Sequence, residues 1–177
     1  MKKCSKCDNL VFSKGLCKFH QPKNKTKNYN KVTNFKTEDF ENLNISELKK
    51  LADYWLRQFL LEGLGNYILC PLKNKKYPRE KMHVSHFVDR GNMCLRFSLE
   101  NCHLISEESN SWDAQIPKEG YKSKHHYDYE MYLGKDKVEN LKSQSENLCL
   151  LYKEDYIRII NEFKNGIKEK KRVSGVV

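Results

Sequence analysis

The chain has 177 residues, with 33 Lys and Arg against 23 Asp and Glu and a net charge of +10; hydrophobic residues make up 38% and charged residues 32%. This suits one ordinary domain, or a small domain with an appendage, and no apolar run approaches the roughly 20 residues of a membrane span. The opening Met1-Lys2-Lys3-Cys4 lacks a signal peptide's apolar stretch, so its seven cysteines read as metal ligands or core thiols in a reducing cytoplasm, not a disulfide framework.

Residues 1–36 hold ten lysines and a single acid, Asp8, a local charge of +9 that leaves only +1 for the rest of the chain. Such asymmetry suggests an arm that binds a polyanion, with nucleic acid as the expected partner and a steep dependence on salt. Within it, Cys4-x2-Cys7, nine residues, then Cys17-x2-His20 has the spacing of a structural zinc site. Two close pairs can converge tetrahedrally, and the metal would supply folding energy that so short a segment cannot gain by apolar burial. We therefore expect a zinc finger over 1–22 and a basic, Asn/Lys-rich linker over 23–44.

The remainder, 45–177, reads as an α+β domain. Leu48, Leu51, Ala52, Trp55 and Phe59 form a helical stripe, predicting a helix over 46–62 capped by Ser46 and stopped by Gly63 and Gly65. Residues 66–70 and 82–88 read as two strands joined by a lysine-rich loop. That loop, with Lys75, Lys76 and Arg79, is either a solvated turn or a DNA contact. Helices are predicted over 106–114, 123–141 and 154–168; in the last, Tyr156, Ile160, Phe163 and Ile167 make the stripe.

Between the second strand and the next helix lies the chemistry-bearing stretch. It runs Ser85-His86-Phe87, Arg90-Gly91, Arg96-Phe97, Asn101-Cys102-His103, then Ser106-x2-Ser109-Asn110. A strand carrying His, an intervening Asn and a helix carrying His or Asn is the order of an HNH, or ββα-metal, nuclease. Phosphodiester hydrolysis needs a general base near neutral pH, which His supplies, and a cation to neutralise developing charge. An Asn carbonyl suits hard Mg²⁺ or Mn²⁺. The blander reading makes His86 a satisfied core histidine beside Met82, Val84 and Val88. His83 points to the opposite strand face. His125-His126, without partners at ligand spacing, read as surface residues.

These motifs resemble the phage lambda NinG (Rap) family of recombination endonucleases, with its Gly-His-aromatic, Arg-Gly, Arg-Phe, Asn-x-His and Cys-x2-Cys-Asn pattern. The later Tyr132-Leu133-Gly134 and Val138-Glu139-Asn140-Leu141 also lie where the family has such a run. The resemblance implies an HNH-type DNA endonuclease, phage-encoded and acting in a bacterial cytoplasm on branched recombination intermediates such as Holliday junctions. It further implies that His86 activates water, Asn101 shapes the loop, and Asn110, with His103, faces the catalytic cation. Arg90 and Arg96 would contact phosphates, and a junction enzyme would act as a homodimer.

One departure is notable. The family braces its core with a second zinc on two Cys-x2-Cys pairs; here these are Cys70-Pro71-Leu72-Lys73 and Ser106…Ser109, so that zinc is expected to be absent. Packing around Phe97, Leu104, Ile105 and Trp112 would replace it. Cys70, Cys94, Cys102 and Cys149 then read as core thiols, the alternative being a rearranged zinc site of Cys70, Cys94, Cys102 and His83. Two other functions compete: a nonenzymatic zinc-finger DNA-binding protein with a degenerate HNH core, and an RNA-binding zinc-ribbon protein.

Overall fold

A computed structural model of the chain describes Lys3, residues 40–110 and residues 124–173. The chain divides into two compact units, Met1–Phe35 and Lys36–Val177. The expected zinc ligands Cys4, Cys7, Cys17 and His20 lie outside the described residues, as does Trp112. The second unit combines helices with small antiparallel sheets, the α+β class anticipated above.

Its first helix, α1 (Ile45–Leu61), follows a one-turn 3₁₀ segment and starts one residue earlier than its apolar stripe implies. Asn44, not Ser46, is the cap. Its Oδ1 accepts from the Glu47 amide at 3.1 Å, while its own amide donates to Glu47 Oε2 at 3.0 Å. That reciprocal box needs an acid three residues after the cap, a condition Asn44–Glu47 meets and Ser46 does not. The helix stops where Glu62 turns extended and Gly63 takes φ +80°. Leu48, Leu51, Ala52, Leu56 and Leu61 are its buried side chains.

Two separate ribbons follow. β1 (Tyr67–Cys70) pairs antiparallel with β2 (Lys75–Pro78), a strand the sequence reading assigns to loop. With two lysines and a proline, β2 carries the markers of a sheet edge, which conceal it from any pattern of apolar alternation. Asn74, at φ 48°, makes the turn between them. β3 (Met82–His86) pairs antiparallel with β4 (Cys102–Ser106), from Met82 opposite Ser106 to His86 opposite Cys102. Thus the 66–70 and 82–88 segments are not partners; each forms its own hairpin.

Of the helix expected over 106–114, the described part is not helical: Ser106 ends β4 and residues 107–110 form a turn, while 111–114 lie outside the described residues. The Ser109 amide donates to Ser106 Oγ at 3.2 Å and the Asn110 amide to the Ser106 carbonyl at 3.0 Å. This side-chain capture of the backbone competes with continuation of the chain as a helix from Ser106. Farther on, the single helix expected over 123–141 is two, α2 (Lys124–Leu133) and α3 (Lys135–Ser145), broken at Gly134, φ +80° and ψ 161°. The last helix, α4 (Lys153–Val173), buries Tyr156, Ile160, Phe163 and Ile167 as its stripe requires.

Among the described residues, two regions of the core flank the ribbons. Leu61, Ile68, Met82, Phe87, Ile105, Tyr129 and Leu141 gather the ribbons with α2 and α3. Leu56, Cys102 and Phe163, with Trp55, Phe59 and Phe97 beside them, join the β3–β4 ribbon to α1 and α4. The ribbon is therefore covered on both faces. Among the described residues, no helix is long and apolar enough to cross a membrane.

Candidate active site on the β3–β4 ribbon

Side chains on a ribbon alternate between its faces, and register partners share one. His86 and Cys102 thus share the face toward α1 and α4, with Val84. Ser85 and His103 share the face toward α2.

His86, at the end of β3, is half-buried, with Nε2 2.9 Å from the Arg96 carbonyl. A carbonyl can only accept, so Nε2 carries the hydrogen of the neutral ring and Nδ1 keeps a lone pair. Burial, reinforced by the Arg96 and Arg90 charges, holds the imidazole below its ordinary pKa against the raising effects of that hydrogen bond and of Asp53. The ring is a neutral base at neutral pH.

Asn101 is 0% exposed. Its Oδ1 accepts from the Val88 amide at 2.7 Å, and its Nδ2 donates to the carbonyls of Val88 at 3.0 Å and Leu95 at 3.1 Å. The Phe87 amide reaches the Asn101 carbonyl at 3.1 Å. One side chain therefore staples both ends and the middle of the loop 87–101, ending β3 at His86 instead of Val88 and presenting His86 at the loop's mouth.

Arg96 lies inside, only 6% exposed. Its Nε and Nη2 grip the Asp53 carboxylate of α1 at 3.2 and 2.7 Å, and Nη1 donates to the Arg90 carbonyl at 2.6 Å. The guanidinium expected at a DNA phosphate instead braces the loop against α1, and it thereby aims its own carbonyl at His86. Arg90 itself is exposed at the loop's turn.

The structure thus brings His86, Asn101, Arg90 and Arg96 around one loop. His103 sits on the other face, its Nε2 donating to the Glu100 carbonyl at 3.0 Å and its ring near those of Tyr129 and Tyr132. Burial, foremost, lowers its pKa as well. Asn110 lies beyond the far end of β4. Four residues separate the His86–Cys102 register pair from the Met82–Ser106 pair, about 13 Å of strand.

His125, read from sequence as a surface residue, is instead half-buried on α2 against the ribbon. Its Nδ1 donates to the Ser109 carbonyl at 2.9 Å, and its Nε2 faces Ser85 Oγ at 3.5 Å. Burial, first, holds its pKa down. His126 is not a free surface residue either: it stacks on Phe87 at 4.9 Å and meets Glu130 at 3.4 Å. The signal that could have found His125 is helical spacing, because Tyr129 stands four residues on, the two rings edge to face at 4.9 Å. Tyr129 is 0% exposed, and its hydroxyl, near Ser85, has no partner within hydrogen-bond geometry.

Where a second zinc would brace the ribbons, three of the four positions do converge. The Ser106 amide donates to Cys70 Sγ at 3.3 Å, Ser109 Oγ lies 3.7 Å from the same sulfur, and Ser106 Oγ donates to Ser109 Oγ at 3.0 Å. Burial pushes the Cys70 thiol up, but the Ser106 amide, both serine hydroxyls and the backbone at Leu72 outweigh it and hold it below the ordinary range. A hydrogen-bonded knot stands there, not apolar packing alone: Ile105 joins the adjoining core and Leu104 flanks it, while Phe97 belongs to the other core region.

The other thiols divide differently from expectation. Cys102 is a buried thiol, pushed up to about 12 by burial. Cys94 and Cys149 are joined in a disulfide across 55 residues, which overturns both their reading as core thiols and the rearranged zinc site of Cys70, Cys94, Cys102 and His83. Among the described residues no three His, Cys, Asp or Glu gather as a metal site.

The basic hairpin is nearby in sequence. Lys75 and Lys76 are exposed on β2, with Lys75 Nζ 5.6 Å from the Tyr77 ring centroid, and Arg79 Nη1 donates to the Leu64 carbonyl at 2.6 Å.

No family model matches the chain, and neither a curated protein nor a solved structure matches it.

Proposed function

We propose that the chain is a metal-dependent DNA endonuclease of HNH type that cuts branched recombination intermediates, Holliday junctions among them. The observation that carries this reading is the His86–Asn101 pair: a neutral histidine with Nε2 tied to a carbonyl and Nδ1 kept as acceptor, at the mouth of a loop that a buried Asn staples. A histidine so fixed is a general base with one defined basic atom. In the proposed step, Nδ1 takes a proton from water as its oxygen attacks phosphorus. The P–O3′ bond breaks and the departing O3′ takes a proton from a solvent water, leaving a 5′-phosphate and a 3′-hydroxyl.

Arg90, Lys75, Lys76 and Arg79 are the proposed backbone contacts, and Arg96 is reassigned from phosphate contact to positioning His86. Mg²⁺ or Mn²⁺ would supply charge neutralisation at the phosphate. His103 and Asn110 are the proposed protein ligands, and since the ribbon sets them apart, DNA oxygens and water would make up the remaining ligands. A structural zinc on Cys4, Cys7, Cys17 and His20, a homodimer giving paired incisions, and a bacterial cytoplasmic setting with a phage gene as source belong to the same proposal.

A second reading, a nonenzymatic DNA-binding protein, is favoured by the distance between His86 and Asn110 along the ribbon. Cleavage of labelled four-way, flapped and linear DNA in Mg²⁺ or Mn²⁺ separates the two. The nuclease reading expects branched DNA to be cut, and His86→Ala to lose about 10²- to 10⁴-fold in rate with binding kept within about twofold. Wild-type protein that binds but cuts nothing with either metal sinks it in favour of the second.

A further inference from the structure

The β1–β2 hairpin presents a face that the fold does not use. Ile68 and Cys70 point inward and are buried, whereas Tyr67 is 67% and Leu69 50% exposed on the same strand. The register sets Tyr67 opposite Pro78 and Leu69 opposite Lys76, so the outward face is aromatic and aliphatic with a lysine beside it. Single exposed apolar residues are ordinary, but two on one strand face, on a short edge ribbon, are a patch.

Charge identifies the occupant. Residues 66–81 hold Lys73, Lys75, Lys76, Arg79 and Lys81 against Glu80 alone, a local charge of +4. Two of these cations meet acids of the neighbouring turn, Lys73 with Glu108 at 3.9 Å and Lys81 with Glu107 at 3.2 Å. Lys76 remains exposed on the face of Leu69, while Lys75, opposite Cys70, belongs to the other face with its Nζ 5.6 Å from the Tyr77 ring centroid. An apolar protein partner would not need that cationic border, and an intact duplex offers phosphates but no base face. A flat aromatic with a lysine on the same face matches the chemistry of an unstacked base beside a phosphate.

We infer that this hairpin recognises unstacked DNA bases at a junction between single- and double-stranded segments, with Tyr67 as the stacking platform, Leu69 as a wedge beside it, and Lys76 on a flanking phosphate. The inference rests on the DNA-binding part of the proposed function and not on cleavage.

The test uses the full chain with Ca²⁺ replacing Mg²⁺, and measures binding to gapped and four-way DNA against intact duplex of equal length. A 2-aminopurine placed at the first unstacked position reports stacking directly. Tyr67→Ala is expected to weaken gapped and four-way DNA about tenfold, leave intact duplex within about twofold, and abolish the 2-aminopurine response. Tyr67→Trp, which keeps a stacking surface, is expected to retain all three. Because Tyr67 lies mostly in solvent, neither change threatens the core. Equal losses on every DNA, or no loss on any, overturn the inference, and wild type that binds no DNA overturns it together with the nuclease. If Tyr67→Ala keeps the preference while wild type cuts, the hairpin assignment alone fails. A Tyr67-dependent preference in a protein that cuts nothing leaves the hairpin standing and removes the nuclease.

Discussion

At the scale of single residues, Asn101 has the largest structural task. Fully buried, it satisfies the Val88 amide and two carbonyls. Asn101→Ala leaves those backbone groups without partners and is expected to cost about 3 kcal/mol in urea unfolding. The three ribbon-facing histidines make a second prediction. His86, His103 and His125 all have native pKa values held below 6.5, chiefly by burial. As pH falls through 6.5, unfolded histidines take up protons that the native ones refuse. Stability is therefore whole above that pH and declines below it, by at most about 4 kcal/mol per pH unit if all three act together. Urea midpoints from pH 7.5 to 5 would show the decline, and His86→Gln should flatten it by about a third. The loop-shaping place of Asn101 was legible from sequence order, and its hydrogen bonds to Val88 and Leu95 show it. Arg96 was misassigned for a physical reason: a guanidinium suits carboxylate and phosphate alike, and its partner, Asp53, comes from a helix 43 residues away.

At the scale of elements, the helices with broad apolar stripes, α1 and α4, were legible, since a 3.6-residue period survives in any tertiary setting. Of the short strands, β1 and β3 were legible to within two residues, whereas β2 and β4 were not. β2 has the composition of an edge, and β4, Cys-His-Leu-Ile-Ser, is covered on both faces and carries no alternation to read. The break between α2 and α3 turns on Gly134, whose φ +80° and ψ 161° lie in a region essentially reserved for glycine. A Cβ there would touch nothing within 4 Å, so any penalty is conformational. Gly134→Ala is expected to lose about 1–3 kcal/mol in thermal or urea unfolding. Gly134→Asn should fare no better, because ψ 161° lies outside the left-handed helical basin that asparagine tolerates.

At the scale of the whole molecule, the Cys94–Cys149 link ties the loop carrying His86's carbonyl partner to the segment before α4. Beside it, Asn92 Nδ2 donates to the Ser145 carbonyl at 2.8 Å. In the oxidised protein, closing a loop of that span constrains the unfolded chain, and the chain-entropy model gives about 4 kcal/mol; the reducing cytoplasm proposed above would open the link and forgo that stability. Dithiothreitol should therefore lower the melting temperature, and Cys94→Ser should reproduce the loss without reductant. An unchanged melting temperature in both would refute the contribution. By itself, the sequence determined what depends on local order and composition: the basic N-terminal segment, the amphipathic helices, and the residue types around His86 and Asn101. Only the tertiary structure decided which segments pair, that Cys94 meets Cys149, that His125 packs on the ribbon, and that Cys70, Ser106 and Ser109 share one hydrogen-bonded knot. The Ser109–His125, Cys70–Ser106, Cys70–Ser109 and Cys94–Cys149 contacts join residues 16 to 55 positions apart in the chain. Their energy comes from burial and hydrogen bonding between distant segments, and a local pattern carries no record of which distant partner will satisfy it.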